Sequence, residues 1–416
     1  MAKLIWQVLL VGPMLAGCAN ILGMELSQKP VAASGGTSGN ADAGASGGTS
    51  DGGESATGGA AAGGASATGG ASAGGVSATG GSKSTGTSTV PTDVNLVWMS
   101  NGTASSFFDT SRNGASKAAY DLTQAGQAIR YTNMDPSSNQ ATAQVARIQD
   151  AVAAGANALG IDVIDPTVVG PVIDDVVTKG VTVVTFDSDA PGSKRISYYG
   201  IDNRKGGVVA AKILMALMGS SGGNIAIMHK ESPPTAANFV ARRDGFMSEI
   251  GNNKAFKVAV ELPCTDGATG ESTLMHGCAD ELETTIDQHP EVTGWFLSRG
   301  RVLRESTLAT LAPRWTSKIK AGTFFAVSFD AIPESMANIQ AGYVNAVINQ
   351  KYYGWGYDVV KLLFDIVHNK SSVTPFTDSG FDVVCANNVS EVAAAWLTPA
   401  NFSTISKCSL AGQQWP

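Results

Sequence analysis

The sequence predicts an α/β protein of two similar lobes, each a mainly parallel sheet flanked by helices, facing each other across one cleft. Three observations carry that expectation. From Asn95 onward, short apolar runs alternate with amphipathic helical stretches, the pattern of parallel sheets covered on both faces. The runs are too many for one open sheet, and the stretch from 95 to 416 is longer than one hydrophobic core sustains. Everything before Asn95 has a different composition and offers no core at all.

The chain opens with one positive charge, Lys3, and an apolar run from Leu4 to Leu15. That run is too short to span a bilayer as a stable helix and fits the core of a signal peptide. It ends in Leu15-Ala16-Gly17-Cys18, which resembles a bacterial lipobox, so residues 1–18 read as a lipoprotein leader with Cys18 as the lipidated residue. An ordinary signal peptide that ends near a cysteine is the plainer alternative. Residues 19–92 are largely Gly, Ser, Ala and Thr, cannot offset their ordering entropy, and are expected to form a disordered tether. A Gly44-Ala45-Ser46-Gly47-Gly48 match to the serine-hydrolase elbow lacks the flanking strand and helix that the elbow needs.

Strands are expected at 95–99, 128–132, 158–161 and 182–186, then at 224–228, 256–261, 294–297, 325–329 and 345–349. Helices are expected at 107–123, 139–154, 167–178, 204–218, 236–250, 270–289, 301–311 and 356–367. The two lobes then take 93–203 plus 351–377, and 204–350 plus 378–416. Their three connecting segments, near 203–204, 350–352 and 377–380, form a hinge.

Composition narrows the function. The 35 acidic residues outnumber 28 Lys and Arg, for a net charge of −7, which argues against a nucleic-acid surface. Four histidines and five cysteines leave little material for a metal cluster, and no metal or cofactor is expected. A mean hydropathy of +0.05 suits neither a multi-span membrane protein nor a wholly disordered chain.

In doubly wound sheets ligands lie beyond the carboxyl ends of the strands. Those places hold Asn101, Ser105, Phe107 and Phe108 after the first strand, and Asp187, Ser188 and Asp189 after the fourth. In the second lobe they hold Asn238, Arg242, Arg299, Asp330 and Gln350. Planar polar groups suit the two-point hydrogen bonding of adjacent sugar hydroxyls, and aromatic planes suit a sugar ring's C–H face. The set points to polyol recognition rather than catalysis.

The phrase Val183-Val184-Thr185-Phe186-Asp187-Ser188-Asp189-Ala190-Pro191, followed by Tyr199-Gly200-Ile201-Asp202-Asn203 and Gly206-Gly207, resembles the type I periplasmic binding proteins. The likeness is to their ribose-binding-like branch, which feeds sugar ABC importers. Further matches follow in order: Ser106-Phe107-Phe108, Arg242-Arg243-Asp244-Gly245-Phe246, Ser328-Phe329-Asp330 and Asn349-Gln350. The resemblance spans 95–384 and implies two Rossmann-like lobes joined by a three-segment hinge. It implies that Phe107 and Phe108 pack on the sugar ring, that Asp187 and Asp330 accept from hydroxyls from opposite lobes, and that Gln350 lies at a hinge crossing. The ribose binders carry Arg where this chain has Ser188 and Asn where it has Arg299. Since a mispaired buried donor costs about 1–3 kcal/mol, the expected ligand is not simply ribose.

Plainer roles stand beside these. Asp187 and Asp189 suit a turn cap, Phe107 and Phe108 suit a core, and Arg242 suits a bridge between loops. Arg242 and Arg299 together in the cleft would admit an acidic sugar or a phosphate. With Cys18 lipidated, three pairings of the other cysteines are possible, and spacing favours Cys264 with Cys278 and Cys385 with Cys408.

The expected function is capture by lobe closure without chemistry on the ligand, followed by delivery to an ABC importer permease. Presentation to a membrane sensor is the alternative. A glycosidase pairing of Asp187 with Asp330 lacks a visible raised pKa and water path. A sugar-responsive repressor would need a helix-turn-helix where the tether stands. The expected setting is the bacterial cell envelope, on the extracytoplasmic side, lipid-anchored and monomeric.

Overall fold

The computed structural model describes residues 94–102, 106–229, 236–264, 271–396 and 405–416. The leader, Cys18, the tether and Ser105 lie outside the described residues. In chain order β1 (Val94–Met99) passes through a 3-10 turn (Ser106–Phe108) to α1 (Asp109–Gln124), β2 (Ile129–Asn133), α2 (Ala141–Ala153) and β3 (Ala158–Ile161). There follow α3 (Pro166–Thr178), β4 (Thr182–Phe186), β5 (Ser197–Gly200), α4 (Asn203–Met218), β6 (Gly223–His229), α5 (Ala237–Gly251) and β7 (Phe256–Pro263). Next come α6 (Glu271–Gln288), β8 (Val292–Leu297), α7 (Leu308–Leu311), α8 (Pro313–Lys320), β9 (Phe325–Phe329), α9 (Pro333–Gln340) and β10 (Ala346–Gln350). The chain ends with α10 (Tyr352–Val367), β11 (Phe376–Asp378), β12 (Phe381–Val384), α11 (Val389–Ala395), β13 (Cys408–Leu410) and β14 (Gln413–Trp415).

The strands form two six-stranded sheets wound the same way. The first has the order β11-β5-β4-β3-β1-β2, and the second β12-β10-β9-β8-β6-β7. Pairing is parallel throughout except between β12 and β10. In each sheet the winding reverses between the first and third of its opening strands, β1 and β3 or β6 and β8, where such sheets place their ligands. The chain leaves the first sheet after Gly200, enters α4 behind an N-cap in which Asp202 accepts from Lys205 N, and returns after Gln350. It passes once more between β11 and β12.

Strand periodicity explains the cores. Along β1, Leu96 and Trp98 join a cluster with Ala115 and Trp355, while Val97 and Met99 face a second cluster with Ile148, Val169 and Ile173. In β8, Trp295 and Leu297 pack with Leu282 and Trp315, and Phe296 stacks on Phe246 at 4.2 Å. Each lobe also has one helix pair in backbone contact. A Cβ on Gly114 or Gly356 would strike the facing backbone of α10 or α1, and a Cβ on Gly207 or Gly245 would strike that of α5 or α4. Two of these four glycines lie in the sequence motifs singled out above, and close helix approach is what they permit.

The helix expected over 301–311 is not one helix. A 3-10 turn covers Val302–Arg304, Glu305 is extended, and α7 begins only at Leu308. The Glu305 carboxylate accepts from Thr307 N at 3.0 Å and from its hydroxyl at 2.7 Å, a local bond that competes with the helix. Pro313 then opens α8 and disfavours a helical Ala312 before it. The short elements β5, α8, α9, β11, β12, α11, β13 and β14 escape the apolar periodicity, whereas α10 contains the helix expected over 356–367.

Cys264 is bonded to Cys278 and Cys385 to Cys408. The second bridge ties the β13–β14 hairpin to the end of β12. Trp415 is buried there, and Val383 N donates to Pro416 O at 2.5 Å. Among the described residues no helix is long and apolar enough to cross a membrane.

Candidate ligand-binding cleft

A cleft of about 510 Å³ lies over the carboxyl ends of both sheets. The first lobe contributes Asn101 beyond β1, Phe107 and Phe108 in the 3-10 turn, and Asp187 and Ser188 beyond β4. The second contributes Asn238 and Arg242 on α5, Arg299 beyond β8, Asp330 beyond β9 and Gln350 closing β10. The residues expected for ligand contact thus line one cavity, save Ser105, which is not described, and Asp189. Among the described residues no group of three His, Cys, Asp or Glu could hold a metal ion.

Both aspartates sit on left-handed backbone, with φ of 53° at Asp187 and 71° at Asp330. Asp tolerates that region better than most residues, and such strain concentrates at functional sites. Their surroundings differ. Asp330 Oδ1 accepts from Gln350 Nε2 at 2.8 Å and from the Tyr352 hydroxyl at 2.9 Å, and Oδ2 lies 3.9 Å from Arg242 Nη1. No described side chain donates to the Asp187 carboxylate, and the residue's backbone carbonyl accepts from the Tyr198 hydroxyl at 2.8 Å. Burial pushes the Asp187 carboxyl up to about 7, with Arg242 opposing the rise and Asp330 adding to it.

Arg242 lines the cleft and also bridges. Its Nε donates to Asn203 Oδ1 at 2.8 Å, its Nη1 donates to Ser298 O at 3.0 Å, and its guanidinium lies 4.1 Å from the Phe329 ring centroid. The bridge between loops is thus present, and the same side chain borders the cleft. Asn238 Oδ1 accepts from Phe239 N, and Arg299 lies 6.0 Å from the Phe239 ring. Phe107 is half-buried and meets Phe108, Tyr352 and Trp355 edge-on or tilted, whereas Phe108 is 4 % exposed and belongs mainly to the core.

Asp189 stands outside the site. Its carboxylate forms a bidentate pair with Arg195 at 2.5 Å and accepts from Thr185 Oγ1 and Ala190 N, so it fixes the turn after β4. Trp295 is wholly buried in the second lobe's core. Sequence reasoning missed Asn139, Arg301 and Arg304, which also line the cleft. The expected helix over 301–311 concealed the two arginines; a loop directly after a strand, carrying Arg299, Arg301 and Arg304, was the available signal. It missed Asp162 as well. That carboxylate, directly beyond β3, is fully buried and accepts from Asn101 N at 3.3 Å and Ser188 N at 3.2 Å.

Residues 96–371 match the family described as "Periplasmic binding protein domain". The xylose/arabinose-binding protein of Sulfolobus acidocaldarius is 24% identical over 312 residues, covering 71% of each chain. The ribose import binding protein of Bacillus subtilis is 25% identical over 235 residues, 56% of this chain and 70% of that one. Among solved structures, a glucose-galactose binding protein from Geobacillus stearothermophilus superposes with a TM-score of 0.60 at 22% identity, over 71% of this chain and 98% of its own.

Proposed function

The chain belongs to the periplasmic binding protein family, and from that premise we propose that it captures a sugar or sugar-like polyol outside the cytoplasm and hands it to an ABC importer permease. The observation that carries this reading is the opposition of Asp187 on one lobe to Asp330, Gln350 and Arg242 on the other, with Phe107 at the margin of the same cavity. Carboxylates and amides in that disposition accept from and donate to neighbouring ring hydroxyls, and an aromatic plane receives a ring's C–H face. The relatives named for xylose, arabinose and ribose support the same ligand class.

Capture proceeds by closure. A ligand binds first to one lobe, the lobes rotate about the three connecting segments, and contacts to both faces stabilise the closed form. No bond of the ligand is made or broken. In this reading 93–203 plus 351–377 and 204–350 plus 378–416 are the moving bodies, and a lipid on Cys18 with a 19–92 tether keeps them near the membrane.

Thermal unfolding against D-xylose, L-arabinose, D-ribose, D-glucose, D-galactose and myo-inositol tests the reading. A ligand at a hundred times its Kd stabilises by about 2.7 kcal/mol, a readable shift. A response confined to one or two sugars, absent in Asp187→Ala and Asp330→Ala, is the expected result. A flat panel with a cooperatively folded protein would overturn it.

A further inference from the structure

Asn101, Asp187 and Ser188 form the first lobe's polar side of the cleft, although they lie on two separate loops. Asp162 stands between those loops. It follows β3, the strand flanked by β1 on one side and β4 on the other, and its carboxylate takes one backbone N–H from each neighbour. Oδ2 accepts from Asn101 N at 3.3 Å and Oδ1 from Ser188 N at 3.2 Å. Val163 N also donates to Ser188 O at 3.1 Å, and Asp162 N to Met99 O at 3.1 Å, so the three loops form one bonded set.

The backbone that carries this carboxylate is itself braced. Gln144, wholly buried on α2, donates from Nε2 to Asp162 O at 2.6 Å and accepts at Oε1 from Ile164 N at 2.9 Å. A fully buried carboxylate with no cationic partner among the described residues is costly to keep. An amide would satisfy only one of the two N–H groups, because its other end is a donor. Burial, and after it the charge on Asp187, push the Asp162 carboxyl well above the ordinary range. The charged group that bears on it is Asp187, with Arg242 and Asp330 acting on that residue in turn.

We propose that Asp162 is a positioning residue of the ligand site: it clamps the Asn101 and Asp187–Ser188 loops together, so that their polar groups face the cleft in one register. Resting on the capture reading for its purpose, the proposal is testable without a ligand. In Asp162→Asn, hydrogen exchange at the Asn101 or Ser188 amide speeds up by about tenfold, the loss of one hydrogen bond to a charged group. Gln144→Met keeps the carboxylate but removes the bonds that hold the backbone of its loop, so it speeds the same amides to a lesser degree. A merely structural Asp162 would lower thermal stability without speeding those two amides beyond the rest of the first sheet. Unchanged exchange at both amides in Asp162→Asn overturns the proposal. Titration of the parent with D-xylose, L-arabinose and D-ribose keeps the two readings apart: a parent that binds none of the panel counts against capture, while exchange still decides the role of Asp162. Where one sugar binds, Asp162→Asn weakens it by about tenfold, and equal affinity counts against the proposal.

Discussion

The two faces of the cleft hold the same side chain in opposite conditions. Asp330 arrives with its acceptors largely occupied by Gln350 and Tyr352 and with Arg242 nearby. Asp187, on matching left-handed backbone, has no described side-chain donor. An acceptor already held by neighbours is pre-organised and adds directional specificity at little cost on binding. A buried carboxylate left unmatched is unfavourable until something donates to it, so the gain on ligation concentrates there. The second lobe reads as a prepared surface and the first as the one that awaits its partner.

The strongest way to break this comparison is to remove the support of the prepared side. Arg242→Ala takes a cation from a buried network and leaves Asp330 without its counter-charge, and costs about 3–5 kcal/mol of stability, measured by urea unfolding. A loss below about 1 kcal/mol would mean that the network is dispensable to the second lobe. On the waiting side, Asp187→Ala weakens sugar binding about 100-fold, as expected for hydrogen bonds to a charged group. It leaves stability unchanged or raised, because the unmatched carboxylate goes with it. Titration calorimetry and thermal unfolding on one preparation read both.

Acid sharpens the contrast further. The folded chain keeps a proton on Asp187 up to about 7, against 3.8 for an unperturbed aspartate. Between those values the unfolded chain releases a proton that the folded chain holds, so this group's contribution to stability is greatest below the window and falls as pH rises through it. Affinity runs the other way. Ligation of the ionised form weakens by up to about tenfold per unit as pH drops below about 7, and Asp187→Asn removes that limb. The smallest effect belongs to Tyr352→Phe, which takes one of the donors from Asp330 and weakens binding by about fivefold, near 1 kcal/mol.

Much of this was legible in the sequence because strand ends can be located from apolar runs, and the site lies at strand ends. Nine strands and the loops beyond them were readable in that way, as were Asp187, Asp330 and Gln350. Less legible was whatever depends on the partner rather than on the residue. Asp187 and Asp189 are two positions apart and chemically identical, yet Arg195 claims one and nothing described claims the other. Asp162 follows its strand just as Asp187 follows β4, but it reaches backbone amides on two other loops, a relation fixed only when β1, β3 and β4 lie side by side. Arg301 and Arg304 were hidden by helix-compatible composition that the Glu305 side chain interrupts.

The bridge from Cys385 to Cys408 bears on how the protein survives at high concentration. β12 is the outer strand of the second sheet, and an outer strand is an open template on which another chain can add itself. Here the hairpin pinned by that bridge brings Pro416 O onto Val383 N, and the buried Trp415 holds it down. A reducing milieu would release the pin and bare the ribbon, so loss of one sulfur–sulfur bond far from the cleft would appear first as self-association, with sugar recognition still intact.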